Sequence, residues 1–144
     1  MLFRGFTLVE LLLVVALLGI LAVSALPGLF STSLTSARSA SMNATIGAVQ
    51  SGIATYAATQ AAGGNNISYP ASLDGAAINS TASPTVPLFG TVLQNGVTAQ
   101  WFKVSNTCYV YDTNGSGAKD ANPTDTYVQY SANTGTFGII VAGC

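Results

Sequence analysis

The sequence predicts an α+β fold: one long N-terminal helix, apolar in its first half and amphipathic in its second, packed on a C-terminal antiparallel sheet of about four strands. Three observations predict it: an almost unbroken apolar run over residues 6–30, a sparse apolar stripe at helical spacing behind it, and four β-rich segments crowded after residue 96. With 144 residues the chain is long enough for one domain with a real core and short for two. Charged residues make up 6% and apolar residues 49%, against about 25% charged in an average soluble chain, so part of the surface must face something other than water.

The first element reads FTLVELLLVVALLGILAVSALPGLF, interrupted by strongly polar groups only at Thr7, Glu10 and Ser24. As a helix it would rise roughly 35 Å, enough to cross a hydrocarbon core of about 30 Å. Arg4 precedes the run and Arg38 follows it, so the positive-inside bias places the short end in the cytoplasm and the bulk outside. From residue 31 to 62 the chain turns small and polar, with Met42, Ile46, Val49, Ile53 and Tyr56 at steps of four, three, four and three. That spacing puts them on one face of a helix continuing the first, the ordinary signature of packing against a domain. Gly63-Gly64-Asn65-Asn66 tolerates positive φ and ends it. Residues 63–96 form a connecting loop in which Pro70, Pro84 and Pro87 deny a continuous helix or a central strand.

The sheet is expected over residues 97–144. Its strands are 97–104, 107–112, 126–131 and 136–142, each rich in β-branched and aromatic residues, with hairpin turns at Ser105-Asn106 and around Asn133 and Gly135. Trp101, Phe102, Tyr109, Tyr111, Tyr127 and Tyr130 alternate along these strands and belong to a sheet core or its cross-strand pairs. The polar excursion DTNGSGAKDANPTD joins the second strand to the third. Its Asp112, Asn114, Ser116, Gly117 and Asp120 follow the alternate spacing of calcium loops. The closing bidentate Glu is missing, Pro123 stands in its place and Asp125 comes two residues late, so an ordinary solvated loop with no metal is the favoured reading.

Composition excludes several chemistries. Arg4, Arg38, Lys103 and Lys119 are the only basic residues and are scattered, so no nucleic-acid stripe is evident. The chain has no His, which removes the commonest general base and any Ser-His or Cys-His pair. No enzyme activity and no cofactor are expected. The two cysteines, Cys108 and Cys144, lie on a side expected to be oxidising and read as a disulfide. A closed loop of about 37 residues stabilises a fold by roughly 3 to 4 kcal/mol in the chain-entropy model. Redox-active or metal-binding cysteines need closer spacing or more ligands. Asn43-Ala44-Thr45 and Asn66-Ile67-Ser68 match the glycan sequon, and the sequence does not choose between glycosylation and a merely wet polar surface.

Glu10 is the informative residue. An ionisable group near the end of a membrane segment is costly, about 1 to 3 kcal/mol even off-centre, and by default marks a function. A carboxylate snorkelling to the headgroups is the plainer alternative. The string G-F-T-L-V-E from Gly5, running into LLLVVALLGILAVSALP, resembles the class III signal segment of type IV pilins over residues 5–27. The resemblance implies a leader at residues 1–5, prepilin peptidase cleavage after Gly5 and N-methylation of Phe6. It also implies that Glu10 forms an inter-subunit charge pair with the new amine of a neighbouring copy; at 4 Å and an effective dielectric of 20 such a pair gains about 4 kcal/mol. Gly19 and Pro27 fall where that family weakens and kinks the helix, and propensity points the same way, with about 1 kcal/mol against Gly and about 3 against Pro in a helix interior. Beyond residue 27 the likeness is architectural only.

Three functions follow. The first is a structural subunit of a type IV pilus, a homo-oligomeric helical filament serving adhesion, twitching motility or DNA uptake. It would sit in inner-membrane lipid as a precursor and outside the bacterial cell after assembly, handled by prepilin peptidase and the pilus machinery. The alternative is a pseudopilin of a type II secretion system. The third is a secreted binding domain with an ordinary signal peptide cut after Val23-Ser24-Ala25, which Glu10 inside the hydrophobic region opposes.

Overall fold

The computed structural model describes residues 5–121 and 123–144; the side chains of residues 25–31 also lie outside that description. The chain divides into two units, Met1–Ala37 and Arg38–Cys144. One helix, α1 (Leu8–Ala62), supplies both, and five strands follow: β1 (Ser80–Thr81), β2 (Trp101–Ser105), β3 (Cys108–Tyr111), β4 (Thr126–Ser131) and β5 (Thr136–Ile140). They form one antiparallel meander in the order β1-β2-β3-β4-β5.

The fold is thus α+β, with five strands rather than about four. The added strand, β1, lies inside the segment expected as pure loop and pairs Ser80 with Lys103 and Thr81 with Phe102. Two residues between an Asn and the Pro84–Pro87 stretch carry no alternation long enough to be read from sequence. The first expected strand starts four residues late, at Trp101, because Gln100 takes the left-handed backbone (φ 62°) and breaks the extended run. The last ends at Ile140, short of the expected 142.

In the second unit the stripe of α1 meets the sheet as its spacing requires. Met42, Ile46, Val49 and Ile53 are buried with Leu73, Leu88, Phe89, Trp101, Tyr109, Tyr111, Val128, Tyr130 and Phe137. Tyr56 is only half-buried, and Ala57, one position on, is buried instead. Alternation places the odd residues of β2 and β3 on this face, and their rings interlock edge to face: Phe89 on Trp101 at 5.3 Å and Trp101 on Tyr111 at 5.2 Å. Phe89 has φ 62°, costly for a bulky residue, and is held there by contacts with Trp101, Tyr109 and Phe137. Gly52 lets α1 approach the turn after Phe89, because a Cβ there would collide with the Val92 carbonyl. The opposite sheet face buries a smaller cluster of Phe102, Cys108, Val110 and Tyr127, flanked by Val104 and Ile140.

A charged group is built into the main core. Lys103, at a core-facing position of β2, is 1% exposed and sits 2.7 Å from the Asp74 carboxylate. Asp74 also accepts from the Ala76 and Phe89 N–H groups and from the Tyr109 hydroxyl, while Lys103 Nζ donates to the Ala76 carbonyl as well. Four donors on one carboxylate satisfy a buried charge that would otherwise be expensive, and they tie the connecting loop to β2 and β3.

The first unit has no comparable core. Its described apolar side chains from Leu8 to Val23 are exposed all round the helix. Among the described residues no helix is long and apolar enough to cross a membrane. The described side chains of the run end at Ser24, and Leu8 to Ser24 rises about 25 Å, short of a hydrocarbon core of about 30 Å. The span expected over residues 6–30 is therefore not found within them.

Candidate functional site

The N-terminal segment begins as non-helical backbone at Gly5, Phe6 and Thr7 and turns helical at Leu8. Gly5 is exposed and a Cβ there would meet nothing within 4 Å, while Phe6 is 83% exposed. The peptide bond between them is therefore exposed and lies ahead of the helix. Met1 to Arg4 of the expected leader lie outside the described residues.

Thr7 and Glu10 close the helix start. The Thr7 N–H and hydroxyl both donate to Glu10 Oε2, at 2.9 and 2.8 Å, and the Glu10 N–H donates back to Thr7 Oγ1 at 3.3 Å. This is a capping box: Thr at the N-cap and Glu three residues on satisfy each other's orphan donors, and the carboxylate also lies at the positive end of the helix dipole. The resemblance points only to a partner on a neighbouring copy; within the chain, Phe6 and Thr7 are not yet helical, so the Glu10 side chain reaches back to Thr7, one residue from Phe6. The signal was legible as T-x-x-E ahead of an apolar run.

Gly19 is helical and exposed, with nothing within 4 Å of a Cβ built on it. Ser24 Oγ donates to the Ile20 and Leu21 carbonyls, at 3.2 and 3.0 Å, and so hides its polarity within the helix. The side chain of Pro27 lies outside the described residues. Gly5, Phe6, Thr7 and Glu10 thus form one group, while Cys108 and Cys144 belong to the second unit.

There the cysteines are joined as a disulfide, Cα to Cα 6.0 Å, with Cys108 buried on β3. The bond fastens the segment after β5 over the smaller sheet face, where Gly143 lies against the Tyr127 ring. The loop from Asp112 to Asp125 is held by its own acids. Asp112 accepts from the N–H groups of Gly115, Ser116 and Gly117, and Asp125 from those of Thr113 and Asp120. Asp120 accepts from Asn114 Nδ2 and Ser116 Oγ, and Arg38 on α1 donates to the Asn114 carbonyl at 2.7 Å. These oxygens are employed as turn acceptors, and among the described residues no cluster of three or more His, Cys, Asp or Glu could hold a metal ion.

Burial pushes the Tyr109 hydroxyl well above its ordinary range, and the neighbouring Asp74 charge and hydrogen bond add to the shift. Tyr130, which donates to the Pro70 carbonyl, is raised mainly by burial as well. The Asp74–Lys103–Tyr109 network escaped sequence reasoning, although Lys103 at an alternate position between Trp101 and Ser105 signals a charge pointed into a core.

No curated protein and no solved structure matches the chain. Residues 1–26 match the family model described as the prokaryotic N-terminal methylation motif, the class III signal of type IV pilins, which supports a structural, pilin-like or pseudopilin protein processed by prepilin peptidase.

Proposed function

We propose that the chain is a structural subunit of a type IV pilus, cleaved between Gly5 and Phe6, methylated on Phe6, and polymerised through its N-terminal helix into an extracellular filament. The methylation motif carries this reading, because its residues coincide with an accessible Gly5–Phe6 bond and with the one acid of the apolar run. An apolar surface exposed all round a helix needs an apolar surrounding; lipid serves before assembly and neighbouring copies serve after it. Glu10 pairs in the filament with the amine of the next copy, exchanging its Thr7 contacts for a full opposite charge. Gly19 and Pro27 give that helix its weak section.

A pseudopilin shares the same N-terminal chemistry. The pilus reading is favoured by the disulfide that closes the last segment onto the sheet, and by a 112–125 loop whose acids already serve backbone donors. The test is electron microscopy of appendages sheared from the producing cells, with peptide mass analysis of their bulk subunit. Long fibres composed of this chain support the reading; fibres lacking it, with the chain confined to the envelope, overturn it.

A further inference from the structure

The chain contains two Asn-Gly pairs, Asn95-Gly96 and Asn114-Gly115. Asparagine before glycine is chemically reactive: the glycine nitrogen attacks the side-chain amide carbon, and no side chain at the second position obstructs the ring that forms. At Asn114-Gly115 four contacts favour that attack.

The Gly115 N–H donates to Asp112 Oδ1 at 2.5 Å, so a carboxylate only 2% exposed stands on the proton that the nucleophile must lose. The Gly117 N–H holds the other oxygen of that carboxylate at 2.7 Å and fixes its direction. Arg38 Nη1 donates to the Asn114 backbone carbonyl at 2.7 Å and polarises the shared peptide unit, which makes the Gly115 N–H a better acid. The Asn114 side-chain oxygen accepts from the Ser116 N–H at 2.7 Å, a donor shared with Asp112 Oδ1 at 3.1 Å. That contact folds the amide back over the Gly115 peptide and puts a donor on the oxygen where negative charge develops. Asn114 Nδ2, the departing group, donates to Asp120 Oδ2 at 2.8 Å. Asn114 is exposed, so ammonia can leave and water can enter. A Cβ at position 115 would collide with the Arg38 guanidinium, so only glycine admits this arrangement. By contrast, the Gly96 N–H is committed to the Leu93 carbonyl and not to a carboxylate.

We infer that Asn114-Gly115 is a self-modifying site that converts Asn114 to aspartate or isoaspartate. Gly115 N bonds to Asn114 Cγ and its proton passes to Asp112. The Cγ–Nδ2 bond breaks as Nδ2 regains a proton through solvent and leaves as ammonia. Water then opens the imide ring at either carbonyl. No oxidant, reductant or second protein enters the balance. The product sets a carboxylate beside Asp120 where an amide donor stood, so an attraction becomes a repulsion, and it adds a negative charge to a chain of formal net charge −1. All of these groups lie within the Arg38–Cys144 unit, and the reaction does not depend on polymerisation.

The test ages the full chain in detergent micelles at neutral pH, in water enriched in heavy oxygen, and follows residues 114 and 95 by peptide mass analysis. Ring opening takes up one solvent oxygen, and enzymatic methylation of isoaspartate identifies the rearranged product. The same chain in denaturant gives the intrinsic rate of both pairs. Asn114 should convert on the order of a hundredfold faster folded than unfolded, as a positioned general base contributes, while Asn95 converts no faster folded than unfolded. A folded Asn114 rate equal to or below the unfolded rate overturns the inference, because the contacts then protect the amide. Asp112→Asn, checked for folding by the fluorescence of buried Trp101, should bring the folded rate back toward the unfolded one. A faster rate in that variant shows that loop mobility governs the reaction and overturns the inference. Should Asp112→Asn fail to fold, Arg38→Ala replaces it: slower conversion by severalfold is expected, and an unchanged rate overturns the inference.

Discussion

Replacing Glu10 separates the capping role seen in the structure from the inter-subunit charge pairing proposed for the same carboxylate. Glu10→Gln keeps an amide oxygen able to accept from the Thr7 N–H and hydroxyl, so the capping box survives while the charge is lost; Glu10→Ala loses both. The cap contributes about 1 kcal/mol to the helix start. A charge pair with the amine of a neighbouring copy contributes about 4 kcal/mol at close approach and an effective dielectric of 20. Since about 1.4 kcal/mol is a factor of ten, losing the pair should weaken incorporation by roughly a thousandfold, whereas losing the cap weakens only the helix start of the unassembled chain, by roughly fivefold. The assay is the yield of sheared filament relative to processed membrane monomer, both quantified by immunoblot. Charge pairing predicts that Gln and Ala abolish filaments alike, with processed monomer still present. Filaments from Glu10→Gln at the unmodified yield would refute it and leave the capping box as the whole role of the residue.

Gly5 replaced by a bulky residue should leave a full-length precursor in the membrane, seen as a mass increased by the leader; normal processing would refute the assigned cleavage bond. Cys144→Ser removes the cross-link between β3 and the last segment, so the melting temperature of the chain in detergent, followed by Trp101 fluorescence, should drop by on the order of 10 °C, and an unchanged curve would show that the bond adds no stability. Tyr109 gives a pH dependence. Its folded pKa is raised above the ordinary value near 10, so its contribution to stability is complete below about pH 10 and is lost as pH climbs through the folded value. Denaturation midpoints should fall in strongly alkaline buffer, and Tyr109→Phe should make that fall shallower; identical slopes would contradict the assignment.

Much of the architecture was legible because it rests on strong periodicities. Steps of three and four from Met42 to Ile53 fixed the buried face of α1, and the β-branched and aromatic residues of 126–131 marked β4, the one strand whose bounds coincide with expectation, though Tyr127 and Tyr130 face opposite sides of the sheet. What escaped depends on contacts between residues distant in sequence or on single backbone states. Ser80–Thr81 is a strand only because β2 lies beside it, and β2 begins at Trp101 only because Gln100 adopts a left-handed conformation. Asp74 and Lys103 stand 29 residues apart, and no local pattern pairs them before the fold places them 2.7 Å apart. At the N-terminus the acid was found and its neighbour was missed: attention to a distant cation hid the local T-x-x-E pattern through which Thr7 holds Glu10.

The claim on which the account turns is that Gly5 and Phe6 mark the cut that creates a filament subunit. N-terminal sequencing with mass analysis of the protein recovered from purified filaments tests it most directly. The account predicts a mature chain beginning at Phe6 and carrying a methyl group on its amine; a chain beginning at Leu26, or one retaining its leader, would contradict it.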